Sequence, residues 1–238
     1  MKRFSIVVVN YNKINYLPKV AERIQKAALG AELILVDDCS NDGSFEWGFD
    51  SRIFSKVYRK PVREEYCLCT MRNIGIGMAT RDYAVVLDAD CLPDEVYFTN
   101  LLKAMDNNKD QKTIFVGFTD YYCDKGESFL LEDPRKAYLA KNDSCPIEYR
   151  DAFGGNICFP IQAWKDVGGF DESFNGFWGY EDLDFAYRCA KVGYQFLCTR
   201  GVQVRHLQHP TRAKIEQSDL KGRNFRLMFE KHPEIKSK

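Results

Sequence analysis

The sequence predicts an α/β fold with a Rossmann-like, mostly parallel sheet flanked by helices, and three observations predict it. Through roughly the first 120 residues, short apolar runs alternate with segments whose apolar residues recur at helical spacing. The apolar runs are rich in β-branched residues, which is typical of buried strands. The chain has 238 residues, enough for one large core, and no linker or internal repeat divides it. We therefore expect a single domain over residues 1–238.

The predicted strands are five apolar runs, of which YAVVLDAD is the clearest. Strands are predicted at residues 4–9, 32–37, 56–59, 83–90 and 113–118. Because the segments between them read as helices, the strands are expected to be parallel. Ligands bind at the carboxyl ends of the strands in such sheets, so the polar residues that follow each run are the informative ones.

Helical spacing is clearest from Leu17 to Ala28, with Gly30 as a stop. Asn41 or Asp42 is expected to cap a short helix after the second strand. Further helices are predicted at residues 73–80, where Gly75 and Gly77 weaken the pattern, and from Pro93 to about Met105.

The second half of the chain, from residue 121, departs from this alternation of strands and helices. Residues 120–160 are rich in Tyr, Asp, Lys and Gly, with only a weak helical pattern between Phe129 and Asn142. A short helix is predicted at residues 161–167, and another helix starts near Tyr180.

Composition excludes several classes of protein. Lys plus Arg and Asp plus Glu each number 34, so the formal net charge is zero, which argues against a nucleic-acid partner. The nine cysteines are odd in number and irregularly spaced, which favours buried thiols in a reducing cytosol over a disulfide framework. We see no export signal and no apolar run of the ~20 residues that a membrane span needs. The expected localisation is cytoplasmic, with membrane association left open.

The tail from Thr211 to Lys238 has eight Lys or Arg against four acids, a local excess of +4 (8 − 4). Apolar residues interleave with these charges. The pattern favours an amphipathic helix that docks on the domain, and a weak peripheral contact with an anionic membrane is the alternative.

Acidic residues follow two of the predicted strands. Asp88 and Asp90 end one strand, and with a period of two their side chains point to the same side. Two convergent carboxylates repel each other unless a cation or hydrogen-bond donors balance them, and oxygen ligands suit Mg²⁺ or Mn²⁺. Asp37 and Asp38 follow another strand, where an acid can bind a base or a ribose. Asp90 as a helix cap and Asp37–Asp38 as turn residues are the structural alternatives.

The stretch FWGYEDLDFAYR, residues 177–188, begins a predicted helix with three acids. Asp184 has Arg188 at i+4, which predicts a structural ion pair. Glu181 and Asp182 lie at the positive end of the helix dipole, which favours ionised carboxylates. The alternative is an acidic cap beside a core Trp. The predicted core stripe of this helix consists of Leu183, Ala186, Tyr187 and Ala190.

Several segments, in this order and spacing, resemble a known family of enzymes. SIVVVNYNKINYLPK, LILVDDCSNDGS, MRNIGIGMAT and YAVVLDADCLPDE resemble the family 2 glycosyltransferases of the GT-A fold. FGGNICFPIQAWKDVGGFDESFNGFWGYEDLDFAYRCAKVGY resembles the C-terminal module shared with β-1,4-galactosyltransferases and chondroitin-polymerase-type synthases. The resemblance covers about residues 3–210.

The resemblance implies an inverting, metal-dependent transferase that moves one sugar from a UDP-sugar to a hydroxyl acceptor, expected to be a saccharide. It divides the chain into a nucleotide-binding half (1–120), an acceptor and catalytic half (121–210) and a helical tail (211–238). The chain lacks the Gln-x-x-Arg-Trp motif and the membrane helices of processive synthases, so we expect one sugar per encounter.

The resemblance also implies roles for single residues on the donor side. Val9, where the family often has a polar residue, and Tyr11 would line the nucleoside pocket, and Asp38 would bind the uracil. Arg72 would contact the base or a phosphate, and Asp88 the ribose or a metal-bound water. Asp90 and His206 would ligate the metal, with His209 as a substitute, and a His ligand favours Mn²⁺ over Mg²⁺. The donor sugar would lie near Gly155 and Asn156.

On the acceptor side, the resemblance makes Asp182 the general base and Glu181 an acceptor-binding partner. Trp178 offers a flat face to a sugar ring, and Gly179 lets the backbone approach it.

Three other functions compete with this interpretation. A retaining enzyme like the polypeptide GalNAc-transferases would have Glu-Asn where this chain has Glu181-Asp182. A sugar-nucleotidyltransferase needs a Gly-rich loop after the first strand, and this chain has none there. A non-catalytic nucleotide-sugar-binding module would keep the pocket without the chemistry. Lipid-linked saccharides, protein side chains and modified nucleic acids also stay open as acceptors.

Overall fold

Ten strands form one sheet in the computed structural model, which describes residues 3–108, 110–123, 128–139, 143–207 and 222–235. The strands are β1 (Phe4–Asn10), β2 (Glu32–Asp37), β3 (Lys56–Arg59), β4 (Tyr83–Asp88), β5 (Cys91–Pro93), β6 (Thr113–Tyr122), β7 (Phe129–Leu131), β8 (Ser144–Ile147), β9 (Asn156–Pro160) and β10 (Gln195–Leu207). The helices are α1 (Leu17–Ala27), α2 (Ser44–Asp50), α3 (Leu68–Gly77), α4 (Tyr97–Asn107), α5 (Ile161–Asp166), α6 (Glu181–Lys191) and α7 (Arg223–Lys231). The predicted α/β class is confirmed.

The sheet is mostly parallel, but one strand from the second half of the chain interrupts its centre. Strands β3, β2, β1 and β4 are parallel neighbours in that order. Next comes β9, which is antiparallel to both β4 and β6, and β10 lies parallel to β6 beyond it. At the edges, β5 and β8 pair with β10, and β7 pairs with β6. The predicted alternation of strand and helix therefore holds up to β4, and β6 is not the next strand in space.

Both faces of the sheet are covered. Along β1, Ile6 and Val8 point to one face and Val7 to the other, and all three are fully buried. Helices α1 and α4 pack on the first face, and α3, α5, α6 and α7 on the second. This double cover explains why the strands read as continuous apolar runs.

Two predicted helices differ from the structure at their starts. Pro93 belongs to strand β5, so α4 begins at Tyr97 instead of at the proline. Residues 73–80 are predicted as part of a helix, and helix α3 spans Leu68–Gly77, so it begins before that part and ends three residues short of its end. Its Gly75 is required by packing, because a Cβ there would lie 2.3 Å from a methyl carbon of Val7. The weak helix predicted at residues 129–142 is wrong: β7 and a 3-10 helix at Pro134–Leu139 occupy the described part of that segment.

Helix α6 turns a different face to the core than its apolar residues predicted. Ala186 and Tyr187 are buried as expected, but Leu183 and Ala190 are only partly buried. Phe185 stacks on Phe170 with ring centroids 4.3 Å apart, and this pair anchors the helix. The buried face therefore includes Glu181 and Asp184, which the positions of the apolar residues alone did not indicate.

The described part of the tail docks on the domain. Asn224 and Met228 of α7 are fully buried, and Met228 joins the core that covers the second face. His232 lies 2.8 Å from the carboxylate of Asp184, which also forms the predicted ion pair with Arg188. Residues 208–221, with His209, lie outside the described part.

No disulfide forms among the nine cysteines, six of which are buried. No helix among the described residues combines the length and the apolar composition that crossing a membrane needs.

Glu32 is predicted to stabilise the fold in a pH-dependent way. Burial opposes its ionisation, but hydrogen bonds from Lys56, Ser5 and Thr80 outweigh it and lower the pKa of Glu32 to about 2. Its stabilising effect is full above the ordinary pKa of 4.5 and is lost as the pH falls toward about 2. Glu32→Gln should lower the free energy of unfolding at neutral pH by about 2 kcal/mol, measured by urea denaturation.

Glu46→Gln is the matched control, because Glu46 pairs with Arg59 on the exposed surface. The Glu46→Gln variant should lower the free energy of unfolding by about 0.5 kcal/mol or less. The difference between the Glu32 variant and the wild type should shrink below about pH 4.5, and a difference that is constant with pH would contradict the assignment.

Candidate active site

Three strands end side by side at one edge of the sheet, and their register brings the predicted polar residues together. Asn10 at the end of β1 is level with Asp37, and Val9 is level with Asp88. Two hydrogen bonds continue this pairing beyond the strands, from the Asp38 amide to Asn10 (2.9 Å) and from the Ala89 amide to Val9 (3.0 Å). The convergence expected at the carboxyl edge is therefore present.

Asp37 and Asp38 have different tasks at this edge. Asp37 is fully buried and accepts hydrogen bonds from Asn10 and Ser40, so it holds the turn after β2 together. The Asp38 carboxylate instead accepts hydrogen bonds from Arg63 Nε (2.8 Å) and from the Cys67 thiol (2.9 Å). Burial and this hydrogen bond to Asp38 raise the pKa of Cys67 to about 11, so the thiol stays a neutral donor.

The predicted nucleoside wall includes a residue that sequence reasoning missed. The guanidinium of Arg63 lies 3.8 Å from the ring centroid of Tyr11, and its Nε binds Asp38. Val9 is partly buried against the neighbouring core. Arg63 lies in a charged loop without any motif, so no feature of the sequence singles it out.

A second cluster gathers around Asp90, which is almost fully buried. His206 is level with Cys91 across the β5–β10 pair, so its Nε2 lies 3.7 Å from Asp90 Oδ1. One possible ligand atom each from Asp90, Cys91 and His206 lies within 4.8 Å of the others. Lys13, which sequence reasoning missed, lies 2.7 Å from Asp90 Oδ2 and balances its charge.

The donor set of this cluster fits a divalent cation. Among the described residues, Nδ1 of His206 is buried without a hydrogen-bond partner, which leaves the imidazole able to coordinate an ion. Burial and the charges of Asp90 and Asp88 raise the pKa of Cys91 well above its usual range, so its thiol is a poor ligand. One carboxylate oxygen and one imidazole nitrogen are compatible with Mn²⁺.

Arg72 joins the two halves of the site. Its guanidinium is 1% exposed and lies 2.5 Å from Asp182, 3.5 Å from Glu181 and 3.9 Å from Asp88. Burial opposes its charge, but the three acids raise the pKa of Arg72 further above its usual range. The predicted contact with a base or a phosphate is therefore corrected: the enclosed guanidinium binds carboxylates of this chain.

Two glycines allow the backbone before β9 to lie against the carboxylates of Asp182 and Asp88. The Gly154 amide donates to Asp182 Oδ2 at 2.8 Å, and a Cβ at Gly154 would lie 1.8 Å from Asp182 Oδ1. A Cβ at Gly155 would lie 2.8 Å from Asp88 Oδ2. The segment before β9 thus runs against both carboxylates, and Gly155 lies beside Asp88. Asn156 is a correction, because its buried amide bonds to Tyr97 and to a carbonyl of β6.

Glu181 is enclosed, contrary to the prediction of an ionised acceptor-binding residue. Its side chain is 4% exposed, and its Oε2 is buried without a hydrogen-bond partner among the described residues. Burial, and next the charge of Asp182, raise the pKa of Glu181 to about 8 against the opposing effect of Arg72. The cost of desolvation exceeds the benefit of the helix N-terminus, so Glu181 is neutral at neutral pH.

The residues before α6 shape the open side of the site. Trp178 is 60% exposed, so the alternative of a core Trp is wrong. Gly179 and Tyr180 both have positive φ angles, of 101° and 69°, and this bend leads the chain into α6. Tyr66, which no motif indicates, lies among the same charged residues as Arg72. Burial and the charge of Glu181 raise the pKa of the Tyr66 hydroxyl well above its usual range.

Comparison with known proteins identifies two family models. The model described as glycosyl transferase family 2 matches residues 5–167, and the one described as the N-terminal domain of galactosyltransferase matches residues 136–211. A chondroitin synthase of Pasteurella multocida strain Pm70 is 25% identical over 97% of this chain and 27% of its own length. A chondroitin synthase of Escherichia coli is 26% identical over 93% of this chain and 37% of its own. The chain thus spans about a quarter to a third of these relatives.

Solved structures share the fold at low identity. The structure of S. aureus TarS 1–349 in complex with UDP-GlcNAc has a TM-score of 0.74 and 14% identity, and covers 95% of this chain and 65% of that one. GalNAc-T7 with UDP, GalNAc and Mn²⁺ has a TM-score of 0.70 and 18% identity, over 98% of this chain and 52% of that one. Both are transferases of the GT-A fold, so the predicted fold is confirmed.

The protonation state of Glu181 predicts an unusual stability profile. Because its pKa is raised from 4.5 to about 8 on folding, its contribution to stability is full below about pH 4.5 and is lost as the pH rises through about 8. Glu181→Gln mimics the neutral acid, so it should stabilise the protein by about 1 to 2 kcal/mol near pH 8.5 and by little near pH 5. Thermal unfolding at the two pH values measures this.

Glu22→Gln on the exposed side of α1 is the control and should change stability equally little at both values. A Glu181→Gln variant that is destabilised near pH 8.5 would show that folding favours the ionised carboxylate and that the pKa of Glu181 is not raised.

Proposed function

Because the chain belongs to glycosyl transferase family 2, we propose that it is an inverting, metal-dependent transferase that moves one sugar from a UDP-sugar to a hydroxyl acceptor. One observation carries the proposal. The guanidinium of Arg72 lies within 4 Å of both Asp182 and Asp88, so the acids predicted for the acceptor side and the donor side lie close together. Family membership gives the glycosyltransferase activity, and the geometry supports its details.

The donor would bind across the carboxyl edge of the parallel strands. The guanidinium of Arg63 lies over the ring of Tyr11, and Asp38 offers a hydrogen-bond acceptor beside them. Both features suit a nucleobase. A UDP-sugar is favoured because a structural neighbour is a UDP-GlcNAc complex and the relatives are named chondroitin synthases. Asp90 and His206 would hold a divalent cation, whose chemistry is to neutralise the charge that develops on a leaving diphosphate.

Asp182 would act as the general base. Its side chain is 24% exposed, so it is accessible to an acceptor, while Arg72 and the Gly154 amide fix the carboxylate from the other sides. In the proposed step the acceptor oxygen bonds to the anomeric carbon, the bond from that carbon to UDP breaks, and the hydroxyl proton passes to Asp182. Because Glu181 is neutral, the cation of Arg72 is left to Asp182 and Asp88.

The saccharide acceptor is favoured by the names of the relatives, of which the chain spans only a part. The retaining alternative predicts the opposite anomeric configuration, so NMR of the product distinguishes the two. A binding module predicts that UDP binds with Mn²⁺ but that no donor turns over in a screen of UDP-Glc, UDP-Gal, UDP-GlcNAc, UDP-GalNAc and UDP-GlcA.

Asp182→Asn tests the base. It should lower sugar transfer by about a thousandfold, because an amide cannot take the proton, and leave UDP binding by isothermal titration unchanged. Transfer near the wild-type rate would show that another group is the base.

A second variant moves the same carboxylate without altering it. Gly154→Ala places a methyl group against Asp182 and should lower transfer about tenfold or more. Gly77→Ala is its control, because a Cβ there would meet no atom within 4 Å. Equal rates for the two variants would contradict the proposed positioning.

The metal ligands are tested by binding rather than by turnover. His206→Ala should weaken Mn²⁺ binding in the presence of UDP about tenfold or more, measured by electron paramagnetic resonance of free Mn²⁺. His209→Ala should leave it unchanged if His206 is the ligand, and the reverse result would transfer the role to His209.

A further inference from the structure

We propose that Phe153 is a platform on which a sugar ring of the acceptor stacks, next to the carboxylate of Asp182. This inference rests on the proposed transferase function and names the acceptor as a saccharide. Phe153 is the first residue of the segment FGGNICFP, but the sequence gives it no role, and the structure places it at the site through its neighbour. Phe153 directly precedes Gly154, whose amide binds Asp182 at 2.8 Å.

The Phe153 ring is exposed where a buried one would be expected. Its surface is 55% exposed, while the preceding Ala152 is 2% exposed. The exposed side chain adds nothing to the core of the domain, and the amide of the next residue holds the Asp182 carboxylate. The position of the ring therefore points to a ligand that covers it.

A buried cation supports the ring from below. The guanidinium carbon of Arg135 lies 4.8 Å from the Phe153 ring centroid, and Arg135 is itself 3% exposed. Three groups fix the guanidinium in place: the Asp133 carboxylate at Nε (2.9 Å), and the carbonyls of Asp151 (2.7 Å) and Gly117 (3.0 Å). The ring thus rests on a rigid, planar group, which limits the entropy lost when a ligand binds to it.

The chemistry around Phe153 favours a sugar over a hydrocarbon chain. The C–H face of a pyranose packs on an aromatic ring, while its hydroxyls need polar neighbours. Polar groups surround the segment that carries Phe153: the guanidinium of Arg135 lies at the ring and binds the carbonyl of Asp151, and the Asp182 carboxylate binds the amide of Gly154. By contrast, the exposed apolar residues of β7 (Phe129, Leu130 and Leu131) form a continuous apolar strand that would suit a lipid. A lipid-linked acceptor is therefore the outcome that competes in the test.

Trp178, an exposed aromatic residue four positions before Asp182, lies in a loop that is also held by a buried polar side chain. The fully buried amide of Asn224 in α7 donates to the carbonyls of Phe174, Phe177 and Gly179 at 3.0 to 3.1 Å. Phe153 and Trp178 are thus both exposed rings on fixed backbone, which is the arrangement expected of a preorganised carbohydrate site.

Kinetics with a defined saccharide test the proposal. A chondroitin tetrasaccharide and a panel of other oligosaccharides serve as acceptor probes with the donors named above. Phe153→Ala should raise the KM for the accepted oligosaccharide about tenfold, while the donor KM and the rate of donor hydrolysis stay within about twofold. Phe153→Tyr keeps the aromatic face and should restore the acceptor KM to within about threefold.

Phe49→Ala is the matched control. Phe49 is 51% exposed and has the guanidinium of Arg52 at 5.5 Å, but it lies at the end of α2. The Phe49→Ala variant should leave every kinetic constant unchanged. Unfolding midpoints of all variants exclude a general loss of structure.

Each result is decisive. An acceptor KM unchanged by Phe153→Ala, or sugar transfer to lipid-linked acceptors with none to free oligosaccharides, would overturn the platform while leaving the transferase function intact. Absence of UDP binding and of donor turnover in the wild-type protein would instead overturn the proposed function, and the platform with it.

Discussion

The buried charge of Arg72 is the constraint on which the rest of the site depends. A guanidinium that is almost fully enclosed must be matched by carboxylates, because an unpaired buried charge costs several kcal/mol. Its partners come from the end of β4 and the start of α6, nearly a hundred positions apart in the chain. Satisfying one cation therefore brings the two halves of the domain together around a single cleft.

A second feature recurs around the site: each exposed group that is proposed to meet a substrate is held by a buried polar group. Arg72 and the Gly154 amide orient Asp182, Arg135 supports Phe153, and Asn224 fixes the loop that carries Trp178. Groups held in this way lose little freedom when a substrate binds. The elaborated second half of the chain thus supplies both the proposed general base and, in the Gly154 amide, one of the groups that hold it.

Helix α7 extends this framework beyond the segments that match known families, which end at residue 211. It is anchored by the bond between His232 and Asp184 and by the burial of Met228. Both contacts act on α6 or on the face that α6 covers, so the docked tail helps to fix the helix on which Asp182 lies. A segment that looked like a basic amphipathic tail is therefore a structural part of the site.

The sequence by itself determined the α/β class, the strands of the first half and the carboxyl edge at which Asp38, Asp88 and Asp90 meet, because period-two burial and parallel connections follow from local patterns. It also pointed to Asp182 and His206 through motifs. Only the tertiary structure decided the insertion of β9, the enclosure of Glu181 and the partners of Arg72. No local sequence pattern indicates the roles of Lys13, Tyr66, Arg63 or Phe153. Their roles depend on which distant groups share their surroundings, since burial and charge neutralisation are set by contacts across the fold and not by neighbours along the chain.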